Sequence, residues 1–213
     1  METLDAIRGR KSTRAFLSRP VPKEIVAKVL DAARWAPSGG NKQQWRVTVA
    51  SGAKVRELED RLHDMSRTLE PRSLLPTQVE SDPGRRRGAL MGDLGAIAEK
   101  LEQSLWEFIG VGSYCLYDAP AVVVVSAPGK GSGDIVQFVT TMLLAAHDLG
   151  LGTCWLGYPL AYRPLFHELL EIPEEETIGA VVAVGYPDPD SPANAYRSPR
   201  DDLERFVRWV GFE

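Results

Sequence analysis

The sequence predicts an α/β or α+β sandwich, with helices packed against a central sheet. Two observations carry this. The runs Ala121 to Ser126 and Thr177 to Gly185 are apolar and β-branched, with the length of buried strands. Around them apolar residues recur at helical spacing, as in Ile25, Val26, Val29, Leu30 and Ala33, so strands alternate with helices.

In chain order, Leu4 and Ile7 fit a short first helix ending near Gly9, followed by a basic loop, Arg10 to Arg14. Pro22 suits the first turn of a second helix. That helix should stop near Ala36, because Pro37 disfavours helix at the residue before it. Ser38 to Asn41 is turn-forming and Trp45 to Ala50 reads as a strand. A third helix covers Lys54 to Arg67, with Val55, Leu58 and Leu62 on one face. Residues 68 to 90 are broken by prolines and glycines and read as irregular, with Arg85, Arg86 and Arg87 on a solvated loop. A helix from Met91 to Phe108 follows. The turn from Pro128 to Gly133 leads to a helix from Asp134, its expected cap, to Leu149, ended by Gly150. Thr153 to Gly157 reads as a short strand and Pro164 to Leu170 as a helix. The tail is proline-rich to Pro199 and then helix- or strand-competent to Trp209.

A chain of 213 residues suits one domain. Its net charge of -4 argues against a nucleic-acid partner. The two cysteines, Cys115 and Cys154, read as packing residues of a reducing compartment. The N-terminus has no apolar run of signal-peptide length, and the longest apolar run, Ala119 to Val125, is too short to span a bilayer. A cytoplasmic protein without a membrane partner is expected.

Protein-borne chemistry is scarce. Gly150, Gly152 and Gly157 have the wrong spacing for a dinucleotide fingerprint and precede a strand rather than open a helix. Gly129-Lys130 is followed by Gly131, not Ser or Thr, so it is no phosphate loop. There is no G-x-S-x-G elbow. His63, His147 and His167 show no metal-ligand spacing. His147 reads as a structural or surface residue. A chain short of nucleophiles, metal clusters and paired carboxylates often borrows reactivity from a cofactor.

Four segments suit one. Arg10, Lys11, Ser12 and Arg14 offer guanidinium forks, an ammonium and a hydroxyl, all matched to phosphate. Ala36 to Trp45 combines small residues with Ser38 and the amides of Asn41 and Gln43, which donate and accept as the edge of a flavin ring does. Gly150 to Gly157 lets backbone amides face a flat ligand. Arg197 and Arg200, late in the chain, are placed to complete a phosphate site. Taken singly, each is also what a solvated loop or tight turn looks like.

Together, in this order and spacing, they resemble the nitroreductase family. The elements are Arg10-Lys11-Ser12-Thr13-Arg14-Ala15-Phe16, Pro20-Val21-Pro22, Ala36 to Trp45, Asp118-Ala119-Pro120, Gly150 to Gly157 and Gly185-Tyr186-Pro187. The resemblance covers the chain except roughly residues 60 to 115. It implies an α+β fold, an α/β/α sandwich with a mostly antiparallel central sheet, in a single domain (1–213) with a variable lid-like segment at about 60–115. It also implies an interlocked homodimer with FMN at the interface. Arg10, Lys11, Ser12 and Arg14 would hold phosphate, ribityl and ring edge, and Arg200, with Arg197 as second candidate, would close on the phosphate. Pro37, Ser38, Asn41 and Gln43 would come from the partner, and Leu156 and Gly157 would lie near the reactive edge. Leu156 places the chain with the relatives that carry an aliphatic residue there rather than a glutamate. Arg72 and Arg85 to Arg87 are candidates for the cation that relatives hold near the ring, with Arg14 as substitute. The implied reaction is ping-pong hydride transfer from NADH or NADPH, through the flavin, to a small-molecule acceptor that is nitroaromatic or quinone-like. No catalytic side chain and no metal are required. A flavin-dependent dehydrogenase or oxidase acting on a specific metabolite, or a non-catalytic flavin carrier, are the alternatives. Trp106, Phe108, Tyr114 and Tyr117 are read equally as an apolar lid or as core.

Overall fold

Among the described residues four strands, β1 (Arg46–Ser51), β2 (Ala121–Pro128), β3 (Gly152–Leu156) and β4 (Glu176–Gly185), form one antiparallel sheet in the order β1-β2-β4-β3. The structure, a computed structural model, describes residues 2–71, 74, 81–129 and 133–212. β1 pairs with β2, β2 with β4, and β4 with β3. The central pair is buried on both faces, which is why β2 and β4 read as unbroken valine-rich runs. Their side chains alternate. Val123, Val125, Val182 and Val184 enter one core, and Val122, Val124, Val181 and Ala183 the other.

Helices close both faces. α2 (Lys23–Ala33) and α6 (Asp134–Asp148) cover the first, through residues such as Val29, Phe138 and Met142. α3 (Ala53–Ser66) and α7 (Arg163–Leu170) cover the second, through Leu58, Leu62 and Phe166. Each such side chain, removed from water, contributes about 1.5–3 kcal/mol. The result is the expected sandwich with an antiparallel centre. α1 (Thr3–Gly9) lies beside α6. A third apolar cluster gathers α4 (Asp82–Lys100), a π-helical turn at Trp106–Val111, α5 (Gly112–Tyr114) and α8 (Pro192–Ala195) around Leu94, Trp106, Phe108 and Tyr114. Those three aromatics are core; Tyr117 is only half-buried and faces a cavity.

Four local expectations are corrected. Residues 82 to 90 are helical, because Ser81 caps the Gly84 N–H at 3.2 Å and Pro83 sits in the first turn, where it lacks no needed donor. Arg85 to Arg87 therefore lie on a helix, not a loop, and Arg86 pairs with Asp201. The same helix stops at Lys100, short of Phe108, where Glu102 turns left-handed. Asp134 is the first residue of α6 rather than its cap, and its carboxylate accepts the Gly39 N–H at 3.1 Å. Beyond Pro199 the tail forms only a short turn at Leu203–Arg205. Arg72 and the centre of the turn at 130–132 lie outside the described residues.

The order of strands leaves β3 at an edge, and that edge receives the Arg10–Phe16 segment. Ser12 bridges Thr153 in parallel fashion, and the Thr13 N–H donates to the Thr153 carbonyl at 2.9 Å. On its far side the segment bonds the stretch after β4: Leu17 N–H to the Tyr186 carbonyl at 2.9 Å and Asp188 N–H to the Ala15 carbonyl at 3.1 Å. A basic loop in the sequence is thus a pinned, strand-like strap.

Candidate active site

The strap's alternation aims its cations. Thr13 is buried against Gly152, where a Cβ would stand 2.4 Å from the Thr13 hydroxyl oxygen, so only glycine allows the approach. Arg10, Ser12 and Arg14, at period two from one another, share a cavity of about 380 Å³ with Lys11, Arg197 and Arg200. Arg8 lines it too, and among the described residues no carboxylate does. Burial lowers the Arg10 guanidinium's hold on its proton, and the like charges of Arg200 and Arg197 lower it further. Such a cluster is uncomfortable without an anion.

Asn194 secures the strap, and the sequence reading missed it. It is buried, its side-chain oxygen accepts the Arg14 N–H at 2.9 Å, and its amide donates to the carbonyls of Ala15 at 2.7 Å and Asp188 at 2.9 Å. Lys11 donates to its backbone carbonyl. The available signal was Ser191-Pro192, a cap followed by a first-turn proline, which opens the short α8 that carries it. His147, expected to be a structural or surface residue, packs against Gly9 at the end of α1, immediately before the strap. A Cβ on Gly9 would lie 2.5 Å from its Nε2. Burial depresses its basicity first, then Arg10, with Arg197 and Lys11 adding and Asp148 opposing.

Two further cavities adjoin the first. One of about 420 Å³ is lined by Arg14, Tyr117, Leu156 and Gly157. Another of about 580 Å³ is lined by Arg10, Ser12, Leu143 and Leu144. Trp155, partly exposed on β3, lines both. Through their shared residues the three make one cleft, with the cations gathered in the first cavity and the other two largely apolar. Of the residues singled out by sequence, Arg10, Lys11, Ser12, Arg14, Leu156, Gly157, Arg197 and Arg200 all border it. Pro37, Ser38, Asn41 and Gln43 do not. They sit on an exposed or half-exposed turn, where Gln43 donates to the Asn41 side-chain oxygen at 2.9 Å and its N–H to Ser38 Oγ at 3.1 Å.

A second constellation lies between α3 and the turn after α5. Cys115 Sγ is 3.1 Å from His63 Nδ1, and His63 Nε2 is 3.2 Å from Asp118 Oδ1. The arrangement has the outline of a nucleophile with its base and orienting acid. Its electrostatics oppose that use. Burial pushes the Cys115 thiol up to about 11, with Asp118 and Glu59 adding and a Ser66 hydrogen bond opposing. The thiol stays protonated and inert at neutral pH. Among the described residues no group of three or more His, Cys, Asp or Glu is placed to hold a metal.

A model of the nitroreductase family matches residues 7–186. The chain belongs to the nitroreductase family. This nitroreductase family member is 31% identical to a 4-nitrobenzoate reductase of Nocardioides sp. (strain LMS-CY), over 99% of this chain and 91% of that one. It is 28% identical to a chloronitrobenzene nitroreductase of Comamonas testosteroni, over 97% and 96%. Among solved structures it is similar to the FMN-dependent nitroreductase NfnB from Mycobacterium smegmatis in complex with NADPH, with a TM-score of 0.83, 26% identity and 97% of each chain covered.

Proposed function

We propose that the protein is an NAD(P)H-dependent FMN oxidoreductase that reduces small nitroaromatic or quinone-like acceptors by a ping-pong mechanism. The observation that carries the reading is the carboxylate-free cluster of Arg10, Arg197 and Arg200 at one end of the cleft, continuous with an apolar slot along β3. An elongated ligand with a phosphate at one end and a flat ring at the other suits both ends at once.

Bound FMN would supply two-electron transfer between the nicotinamide and the acceptor. The chain's own part is positional and electrostatic. Arg10, Lys11, Ser12, Arg197 and Arg200 hold the phosphate. Arg14, which borders both ends of the cleft, offers positive charge to the ring where negative charge develops on reduction. Leu156 and Gly157 line the ring end without a titratable group.

A homodimer follows from the same reading. Leu4 and Ile7 on α1, Val136 on α6 and the tail residues Phe206, Trp209 and Phe212 are large, apolar and exposed. These are the side chains a partner subunit would cover in such a dimer. The partner's turn, bearing Pro37, Ser38, Asn41 and Gln43, would then complete the open side of the cleft, and part of the segment about 60–115 would serve as its lid. No helix among the described residues is long and apolar enough to cross a membrane, and both cysteines are free, which supports a cytoplasmic enzyme.

The test is the visible spectrum of the purified protein before and after anaerobic NADPH, followed by a nitroaromatic acceptor. Bound flavin that bleaches and is then reoxidised by the acceptor is the expected result. Flavin that resists both NADPH and NADH would indicate a carrier or an oxidase. No flavin uptake from excess FMN would overturn the reading. Sedimentation of the same sample should give twice the 23.4 kDa chain mass.

A further inference from the structure

The turn from Pro37 to Gln43 keeps away from the cleft of its own chain, yet it is held to a fixed shape. Gly40, Asn41 and Gln43 have φ of 59°, 55° and 48°, so two residues with side chains stand in the left-handed region on an exposed loop. Such residues are disfavoured there, and the shape persists only where its surroundings enforce it. Bonds within the turn do part of this. Asn41 N–H donates to the Ser38 carbonyl at 3.0 Å, Gln43 N–H to Ser38 Oγ at 3.1 Å, and Gln43 Nε2 to Asn41 Oδ1 at 2.9 Å.

The rest comes from α6. The chain enters the turn from Ala36, buried in the core that α6 covers. It leaves the turn at Trp45, whose ring centroid lies 5.1 Å from that of Phe138. Between these anchors the Gly39 N–H donates to Asp134 Oδ1 at 3.1 Å. Asp134 and Phe138, one helical turn apart, share a face of α6 and grip the turn at its middle and its exit. Asp134 is itself buried, as a carboxylate seldom is without a partner. A carboxylate in the first turn of a helix also suits the helix dipole, but the dipole asks for neither burial nor an aim at Gly39.

We propose that Asp134 is a positioning residue for the cleft of the other subunit: through Gly39 it holds the Pro37–Gln43 turn in the shape in which that turn meets the cofactor bound by the partner. The proposal rests on the dimeric FMN reading. A turn already in its bound shape has less to order on association, which gives the strained backbone a use. Asp134 acts only through the turn.

Asp134→Ala removes the acceptor, whereas Asp134→Asn keeps an oxygen there and removes the charge. In the apoprotein the Gly39 amide should be protected from hydrogen exchange in the wild type, exposed in Asp134→Ala and protected again in Asp134→Asn. FMN affinity should fall about tenfold in Asp134→Ala, as for one lost hydrogen bond to a charged group, and largely return in Asp134→Asn. A residue serving only the helix dipole would make the two variants alike.

The deciding experiment is a mixed dimer of one Asp134→Ala subunit and one Arg200→Gln subunit, purified through two different tags. Arg200 serves the cleft of its own chain. One cleft of the mixed dimer then joins an intact strap to an intact turn, and the other joins the two defects. At an FMN concentration that leaves both variant homodimers largely empty, one site per mixed dimer should fill. No filled site would mean that Asp134 serves its own cleft, and overturns the proposal. So does an Asp134→Asn variant that behaves like Asp134→Ala, or an Asp134→Ala variant with unchanged FMN affinity. Should Asp134→Ala not fold, Gly39→Pro removes the donor instead and takes its place in the mixed dimer, since Ser38 is already extended as a residue before proline must be. Failure of the wild type to take up FMN or to dimerise overturns the functional reading, and the role of Asp134 falls with it. A wild type that takes up FMN beside a mixed dimer that does not overturns the proposal alone.

Discussion

The side-chain oxygen of Asn194 accepts the backbone N–H of Arg14 at 2.9 Å, joining residues 180 positions apart in the chain. With the two carbonyls that the Asn194 amide serves, this one side chain satisfies three polar groups of the strap and its neighbour. Asn194→Ala leaves them partly buried and unmet, at about 1–3 kcal/mol for the first such group. Urea unfolding should show that loss, and FMN titration a weaker affinity, because the strap carries the cations. Full affinity in a destabilised variant would mean that the strap holds its place without Asn194.

The arginine cluster predicts a linkage between anion and proton. Burial and then Arg10 hold the His147 imidazole below its ordinary value. A phosphate among Arg10, Arg197 and Arg200 offsets their charge, so the imidazole should titrate at higher pH when the anion is bound. By the same linkage, phosphate binds more tightly as pH falls through the His147 titration. Proton spectra of the apoprotein, with and without inorganic phosphate, measure both. An unmoved His147 resonance would place the anion elsewhere.

Arg200→Gln should act oppositely on the two forms. In the apoprotein it removes one repelling charge and should leave stability unchanged or higher, within about 0.5 kcal/mol for an exposed site. FMN affinity should fall about 10–100-fold, as expected for one charge-assisted phosphate contact. Riboflavin, which lacks the phosphate, should lose little. Equal losses for FMN and riboflavin would place Arg200 away from the phosphate.

The architecture was legible where one signal dominates. Valine runs mark β2 and β4, and Val55, Leu58 and Leu62 mark α3, because burial on a fixed period leaves an unmistakable trace. Asp82–Lys100 was hidden because Pro83 and four glycines are breakers in an interior but are tolerated where Ser81 caps the first turn and packing supplies the rest. The strap's cations were legible by residue type. Asn194 was not, since its role depends on a fold that returns residue 194 to residue 14. The left-handed turn at Leu116–Asp118 contains no glycine, so no local rule could announce it. The turn of Pro37 to Gln43 lies off the cleft of its own chain.

Gly152 and Thr13 should behave as a coupled pair. A Cβ at residue 152 would meet the Thr13 Oγ1, Cγ2 and Cβ atoms at 2.4, 2.7 and 2.8 Å. Gly152→Ala should therefore push the strap off the edge of β3, with a loss of about 1–3 kcal/mol and weaker FMN binding. Thr13→Gly also destabilises, since it empties a buried site. The double variant should be less destabilised than the sum of the two, by about 0.5 kcal/mol or more. Strict additivity would show that the close approach is not what the glycine serves.

Glu59 predicts the sign of a pH dependence. Its Oε1 is buried with no hydrogen-bond partner among the described residues, and burial, then Asp118 and Asp60, push its carboxyl up to about 7 against the pull of Arg56. The folded protein thus keeps a proton that the unfolded chain releases near the ordinary value of 4.5. Because the native state binds more protons between these values, stability falls as pH rises from 4.5 to about 7. Below that window the group contributes nothing, and above it the penalty is constant. Partial solvation reduces the penalty to about 1–2 kcal/mol, below what the full shift implies. Glu59→Gln mimics the protonated acid and should remove it. Against wild type, the variant should gain little in urea unfolding at about pH 4.5 and about 1–2 kcal/mol at about pH 8. An equal difference at both pH values would mean that Glu59 ionises in the folded protein as it does in the unfolded chain.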